Sequence, residues 1–453
     1  MKKEWSQGNG MLYKKLLGAT LVAVGALLMV TLAACGGSST ASYTVGGTVK
    51  GLPYAGLTGN ALVLQNNGAN DLSISANGVF TFTAAIASGS TYSVAIKTAP
   101  TSPALTCAIT AGSGTISGAN VSNVVVDCTT PAHFAYVANN SASGGISSYT
   151  VNSATGLLTA GTTTPTAANP TSVAVDPNGK FAYVTMLGGT TSTYSISQTS
   201  GLLTFANSIT SVNPYAVKIH PNGLYAYVAD GTSNNVVAYT ITPATGALTL
   251  LGTSPTGKTT ASSLTLDPLG KFAYVPNGGS GNVSVFSINQ TTGALGVAAQ
   301  TAPVGGIPQQ LAIDPSGKFA YVVDTNFVYA YTIDSAAGVL TQIGTTGVSA
   351  GTPVSVVVSP NGKFAYVADG SVSGTVYVFS ISTTGALTQV GSPVAAGTIP
   401  SRVDIDPSGL FAYVTNKSGN NVSMYTIDQT AGTLSGGTTI SAGTNPSGIT
   451  TTR

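Results

Sequence analysis

The chain has 453 residues, too many for one ordinary domain and enough for two folded units behind a leader. Charged residues make up 6% and apolar residues 43%, which excludes disorder driven by high charge and low hydrophobicity. Beyond residue 34, eleven Lys and Arg face twelve Asp, a net charge of −1 that leaves no basic footprint for nucleic acid. Glu4 is the only glutamate, His133 and His220 the only histidines, and Arg402 and Arg453 the only arginines. From two histidines neither a Ser-His-Asp arrangement nor a metal shell assembles persuasively, and no cofactor is implied.

Lys14 and Lys15 precede an apolar run over residues 16–34 that ends Leu32-Ala33-Ala34-Cys35. A basic start, an apolar stretch and small residues at the cut predict a secretory signal over residues 1–34, with translation beginning at Met1 or Met11. A plain transmembrane anchor is the alternative reading of the run. The Leu-Ala-Ala-Cys ending resembles the lipobox of bacterial lipoproteins. That resemblance implies cleavage before Cys35, lipidation of its sulfur and anchoring in a bacterial membrane, with residues 35–41 as a tether. By analogy with Gram-negative lipoproteins, Gly36 favours the outer membrane, on either its periplasmic or its surface face.

Residues 42–129 alternate strand-like runs (43–49, 61–65, 79–83, 92–97 and 121–128) with turn residues, which predicts a small antiparallel β-sandwich. Cys107 and Cys128 are the only cysteines besides Cys35. In an oxidising compartment they are expected to pair, stabilising the module by roughly 3 kcal/mol.

From residue 131 to 453 an aromatic-Ala-Tyr-Val strand recurs, its tyrosine at positions 136, 183, 227, 274, 321, 366 and 413. The period of 44–47 residues is that of a repeat architecture. Six of these strands follow a turn such as Asp176-Pro177-Asn178-Gly179, in which an acceptor leads, proline pre-sets φ and glycine stands fourth. A second turn carries Gly156, Gly201, Gly246, Gly293, Gly338, Gly385 and Gly432. Four short strands per unit make a propeller blade, and seven units make an all-β, seven-bladed propeller. The first unit lacks its inner strand, and the chain stops on one at Pro446-Ser447-Gly448-Ile449, so the two ends complete a single blade and close the ring. Ring packing accounts for the tyrosines.

Tyr-Val-Ala-Asn at 136–139 and Tyr-Val-Thr-Asn at 413–416, with Asp-Pro-x-Gly-Lys before several such strands, resemble the YVTN-type propellers and the lactonase-like seven-bladed family. That family includes 6-phosphogluconolactonases. The resemblance implies an arginine on an inner strand and a glutamate sixteen residues later, both acting on substrate. Here the arginine positions hold Thr171, Tyr215, Ser262, Gln309, Val354 and Ser401, and the glutamate positions hold Leu187, Gly231, Gly278, Thr325, Gly370 and Lys417. No pair survives. His220 keeps the family's His-Pro-x-Gly but takes a turn position that is aspartate in four sister repeats, so its expected role is that turn's acceptor.

Lys218, Gln310, Arg402 and Asp404 are the polar residues that stand out on inner strands otherwise built from Ser, Thr, Ala and Val. Arg402 and Asp404 share a strand face and are expected to pair, while Lys218 and Arg402 make an alternative anion pocket. These features predict an envelope-anchored platform for a protein partner or a small molecule. The alternative is a lactone hydrolase using a mouth rebuilt around Arg402, Lys218 and His220.

Overall fold

The computed structural model describes residues 40–452 except 51, 53–60, 101–104, 130, 131, 168, 212, 297–299 and 348–350. The leader and Cys35 lie outside the described residues.

Residues 42–129 form two four-stranded sheets around one core. One sheet runs Gly78–Thr81, Val45–Lys50, Val121–Thr129, Thr106–Thr110; the other runs Ala69–Ile74, Leu62–Asn66, Thr91–Thr98, Ser113–Thr115. Val45, Leu62, Leu64, Val124 and Val126 are fully buried between them. Cys107 and Cys128 stand opposite each other on an antiparallel pair and are disulfide-bonded. The expectation of an antiparallel sandwich needs one correction, because Val121–Thr129 pairs with Val45–Lys50 in parallel. Alternating apolar residues encode the buried face of a strand but not its direction. Ala69–Ile74 and Ser113–Thr115 escape the pattern because they bury almost nothing. The hairpin into Ala69–Ile74 is nonetheless marked by Asn67-Gly68, both at positive φ as a tight two-residue turn demands.

The strands from His133 onward form seven consecutive sheets, the blades of a propeller. The inner strands of blades 1 to 7 are Pro446–Thr451, Pro170–Val175, Pro214–Ile219, Thr265–Leu266, Gln310–Ile313, Pro353–Val358 and Pro400–Ile405. Blade 1 joins the two chain ends, since Pro446–Thr451 pairs antiparallel with His133–Asn139. The ring is therefore closed within that blade.

Blade-on-blade packing follows from the strand pattern. Side chains alternate across a sheet, so Phe134 and Tyr136 pack on Ala182 and Val184 of blade 2, while Ala135 and Val137 meet Phe411 and Tyr413 of blade 7. All seven repeat tyrosines are fully buried. Six of their hydroxyls donate to the carbonyl of the second-turn glycine in the next blade, as Tyr136 does to Gly201 at 2.8 Å and Tyr413 to Gly156 at 2.9 Å. In blade 2, Thr193 Oγ1 takes the Gly246 carbonyl instead, and the Tyr183 hydroxyl is buried with no partner. The second-turn glycines are required twice over. Gly201 has φ +68°, and a Cβ there would lie 2.3 Å from the Phe134 ring.

Candidate functional site

Each inner strand starts at the channel mouth and ends in the turn that leads to its aromatic strand. At the far end the chemistry is repeated. Asp176 accepts from the backbone N–H groups of Asn178, Lys180 and Phe181, and this tightens the turn. His220 takes the equivalent place in blade 3. Its Nδ1 accepts from Asn222 N–H at 3.2 Å and its Nε2 donates to the Gly270 carbonyl at 3.0 Å, with Tyr225 and Tyr227 against the ring. Both nitrogens are engaged and only 3% of the residue is exposed. His220 acts as the turn's acceptor, and the alternative that put it at the mouth is corrected here.

At the mouth the repeats diverge. Most inner strands open with proline, which has no N–H to give the ladder. In blades 1, 2, 3, 6 and 7 the register shifts at the next residue, leaving Ser447, Thr171, Tyr215, Val354 and Ser401 at β-bulges. A bulge frees its side chain from the sheet and re-aims it. Of these, Thr171, Tyr215, Val354 and Ser401 are positions at which the resemblance called for arginine, as are Ser262 and Gln309 in blades 4 and 5. Three of the arginine positions, and Ser447 in blade 1, carry hydroxyls that reach a backbone carbonyl in the next blade: Thr171 to Pro214, Ser262 to Pro308, Ser401 to Pro446 and Ser447 to Pro170. The distances run from 2.7 Å for Ser401 to 3.3 Å for Ser447. The mouth is thus laced to itself, through residues that the sequence showed only as gaps in a catalytic pattern. The recurrent proline before them is the signal that would have revealed the lacing.

These residues surround a cavity of about 270 Å³, together with Tyr215, Gln309, Val354, Gly370, Arg402 and Lys417. No carboxylate lines it among the described residues. In blade 6 the positions of the missing pair have closed on each other, since a Cβ at Gly370 would lie 2.7 Å from Val354 Cγ1.

Below the mouth lies a second cavity of about 230 Å³, which Arg402 also lines, and it gathers Lys218, Gln310, Arg402 and Asp404. Two rings of positions face it. The upper ring holds Ser172, Ala216, Ser263, Gln310, Ser355, Arg402 and Gly448. In the lower ring Ala174, Lys218, Thr265, Ala312, Val357, Asp404 and Thr450 each stand opposite a repeat tyrosine. Neutral polar groups in these rings tie adjacent inner strands together. Gln310 Oε1 accepts from Val356 N–H at 2.9 Å, Ser355 Oγ from Val403 N–H at 3.1 Å, and Thr265 donates to the Leu311 carbonyl at 2.6 Å. Gln310 is therefore a strap between blades 5 and 6.

The charged residues behave differently. The expected Arg402–Asp404 pair does not form: the ion pairs among the described residues, Lys50–Asp127 and Lys97–Asp71, both lie in the sandwich. Residues two apart share a strand face, but Asp404 turns to the backbone amides of Ile405 and of Thr451 in blade 1. Enclosure lifts its pKa to about 6, against the pull of the Lys218 ammonium and those amides. Enclosure also lowers Lys218, with Asp404 opposing and Arg402 adding to the effect. Arg402 is lowered by the same cause. Lys218 is exposed to solvent along the channel, and Arg402 and Asp404 are half-buried. No hydrogen bond or ion pair engages either cation's side chain among the described residues.

A family model described as lactonase, seven-bladed β-propeller, matches residues 132–216, 217–358 and 355–449. No curated protein matches the chain. Among solved structures, the periplasmic gluconolactonase of Pseudomonas aeruginosa aligns with a TM-score of 0.62 at 20% identity, over 71% of this chain and 99% of that one. A Bacteroides fragilis protein with a provisional 6-phosphogluconolactonase name gives 0.64 at 22%, over 71% and 98%. A Lactobacillus plantarum protein gives 0.62 at 21%, over 71% and 100%. Likeness at these identities shows the fold alone.

Proposed function

The chain belongs to the lactonase family of seven-bladed β-propellers, and from that premise we propose that it is a binding propeller rather than a lactone hydrolase. It is held in the cell envelope by lipid on Cys35 and presents its mouth and channel to a ligand. The observation that carries this reading is the lacing of the mouth. Three positions where the family's arginine is expected, Thr171, Ser262 and Ser401, carry hydroxyls already donated to the neighbouring blade, and Ser447 does the same in blade 1. A group committed to the scaffold cannot also activate an ester, and no carboxylate among the described residues lines the cavity to act as acid or base. The lactonase alternative retains one supporting feature, the Arg402 guanidinium that lines the mouth as well as the channel.

The test is a panel of sugar lactones and simple lactones, followed by pH-stat, beside an unbiased ligand screen on the purified protein from Ser38 onward. Ring opening no faster than the uncatalysed rate, with a ligand retained in the screen, is the expected result. Turnover of any lactone that is abolished by Arg402→Ala overturns the proposal. The anchor has a separate test. Cys35→Ala is expected to shift the protein from the membrane to the soluble envelope fraction, and unchanged fractionation would exclude lipidation at Cys35.

A further inference from the structure

We infer that the channel takes a small organic carboxylate, held between the Lys218 ammonium of blade 3 and the Arg402 guanidinium of blade 7, with its body towards the mouth. This rests on the binding reading above and names the ligand's chemistry.

The argument begins with what the channel has already used. Gln310 Oε1, Ser355 Oγ and Thr265 Oγ1 are engaged by the backbone of the next blade, so these neutral polar groups serve closure of the ring. Lys218 and Arg402 have no such partner among the described residues. Two cations that face one confined cavity repel each other, and an anion seated between them relieves that repulsion. Asp404 supplies one negative charge, which acts on Lys218 without forming an ion pair with either cation among the described residues. Two cations against one anion leave a single positive charge to be met. A monoanion matches that balance. The planar guanidinium donates two parallel N–H···O bonds to a carboxylate, while a phosphate dianion carries one negative charge more than this balance calls for.

Space and walls point the same way. Arg402 lines both cavities, so an acid seated on it extends upward between Tyr215, which is 44% exposed, and Val354. Cavities of about 230 and 270 Å³ suit a compact molecule, since drug-sized ligands fill pockets of roughly 300–1,000 Å³.

Isothermal titration calorimetry of the full chain tests this, using acetate, lactate and benzoate as carboxylate probes and inorganic phosphate and sulfate as the contrasting oxyanions. At least one carboxylate is expected to saturate the wild-type protein at one site. Lys218→Met and Arg402→Met are each expected to weaken it tenfold or more, with Lys218→Arg retaining it. Both methionine variants are expected to melt at or above the wild-type temperature, because each removes one of two like charges that repel across the channel. The inference is overturned if only phosphate or sulfate binds, if none of the probes binds, if both variants bind as the wild type does, or if both unfold much more readily. Lactone turnover that survives in both variants would sink the binding reading while leaving the carboxylate site intact. Absent carboxylate binding would sink only the site.

Discussion

The outer lattice of the propeller and its channel are built from the same repeat, yet they obey opposite rules. Between blades each tyrosine and each second-turn glycine meets almost the same partner in every copy. Inside the channel, the ring position that is Ala174, Ala312 or Val357 in three blades becomes Lys218 in one and Asp404 in another. Packing is a local demand that every blade faces equally, so it repeats. A ligand meets all the blades at once and needs only one of each charge, so recognition breaks the repeat. Departures from symmetry are therefore where function is to be sought, but only after those that strap neighbouring blades, such as Gln310, have been set aside.

The largest expected effect separates backbone strain from packing within the lattice. Gly179 and Gly201 share nearly the same φ, +67° and +68°, but a Cβ at 179 would meet nothing within 4 Å whereas one at 201 would strike Phe134. Gly179→Ala is expected to cost about 1–2 kcal/mol from the left-handed backbone alone. Gly201→Ala should cost a further 1–3 kcal/mol or so from overpacking. Urea unfolding measures both, and equal losses would remove the claim that this glycine is demanded by its neighbour.

A smaller contrast lies within the tyrosines. Tyr227→Phe strips the Gly293 carbonyl of its donor and is expected to cost about 1–2 kcal/mol. Tyr183→Phe removes a buried hydroxyl that has no partner, so stability should hold or rise. If both behave alike, the hydroxyl-to-carbonyl link contributes nothing. At the mouth, Ser401→Ala is expected to cost roughly 0.5–1.5 kcal/mol by loosening the lace to Pro446 without altering ligand affinity. A changed affinity with unchanged stability would instead make Ser401 a ligand-binding residue.

The smallest effect is a pH dependence of the channel. Asp404, with its pKa raised to about 6, is uncharged below that pH and charged above it. An anion should therefore bind more tightly at pH 5 than at pH 8, and Lys218, whose pKa is lowered, pushes in the same direction by losing its proton more easily as pH rises. Asp404→Asn should flatten the profile near pH 6, which titration calorimetry at several pH values would show. A profile unchanged by that substitution would assign the dependence to Lys218 alone.

By itself the sequence determined the ring. The period, the Pro-Gly turns and the split blade at the chain ends are local or repeated signals, and each copy restates the same packing problem, so seven blades and their closure could be read directly. It also marked the lost arginine and glutamate positions and the pairing of Cys107 with Cys128. Only the tertiary structure decided what the exceptions do. His220 turns inward at the end away from the mouth, Gln310 is claimed by Val356, Asp404 leans to Thr451 rather than to Arg402, and hydroxyls at the mouth reach the next blade's carbonyls. The reason is physical. Strand alternation fixes the face on which a side chain emerges, whereas its partner sits on another blade, at a distance and angle set by the curvature of the closed ring.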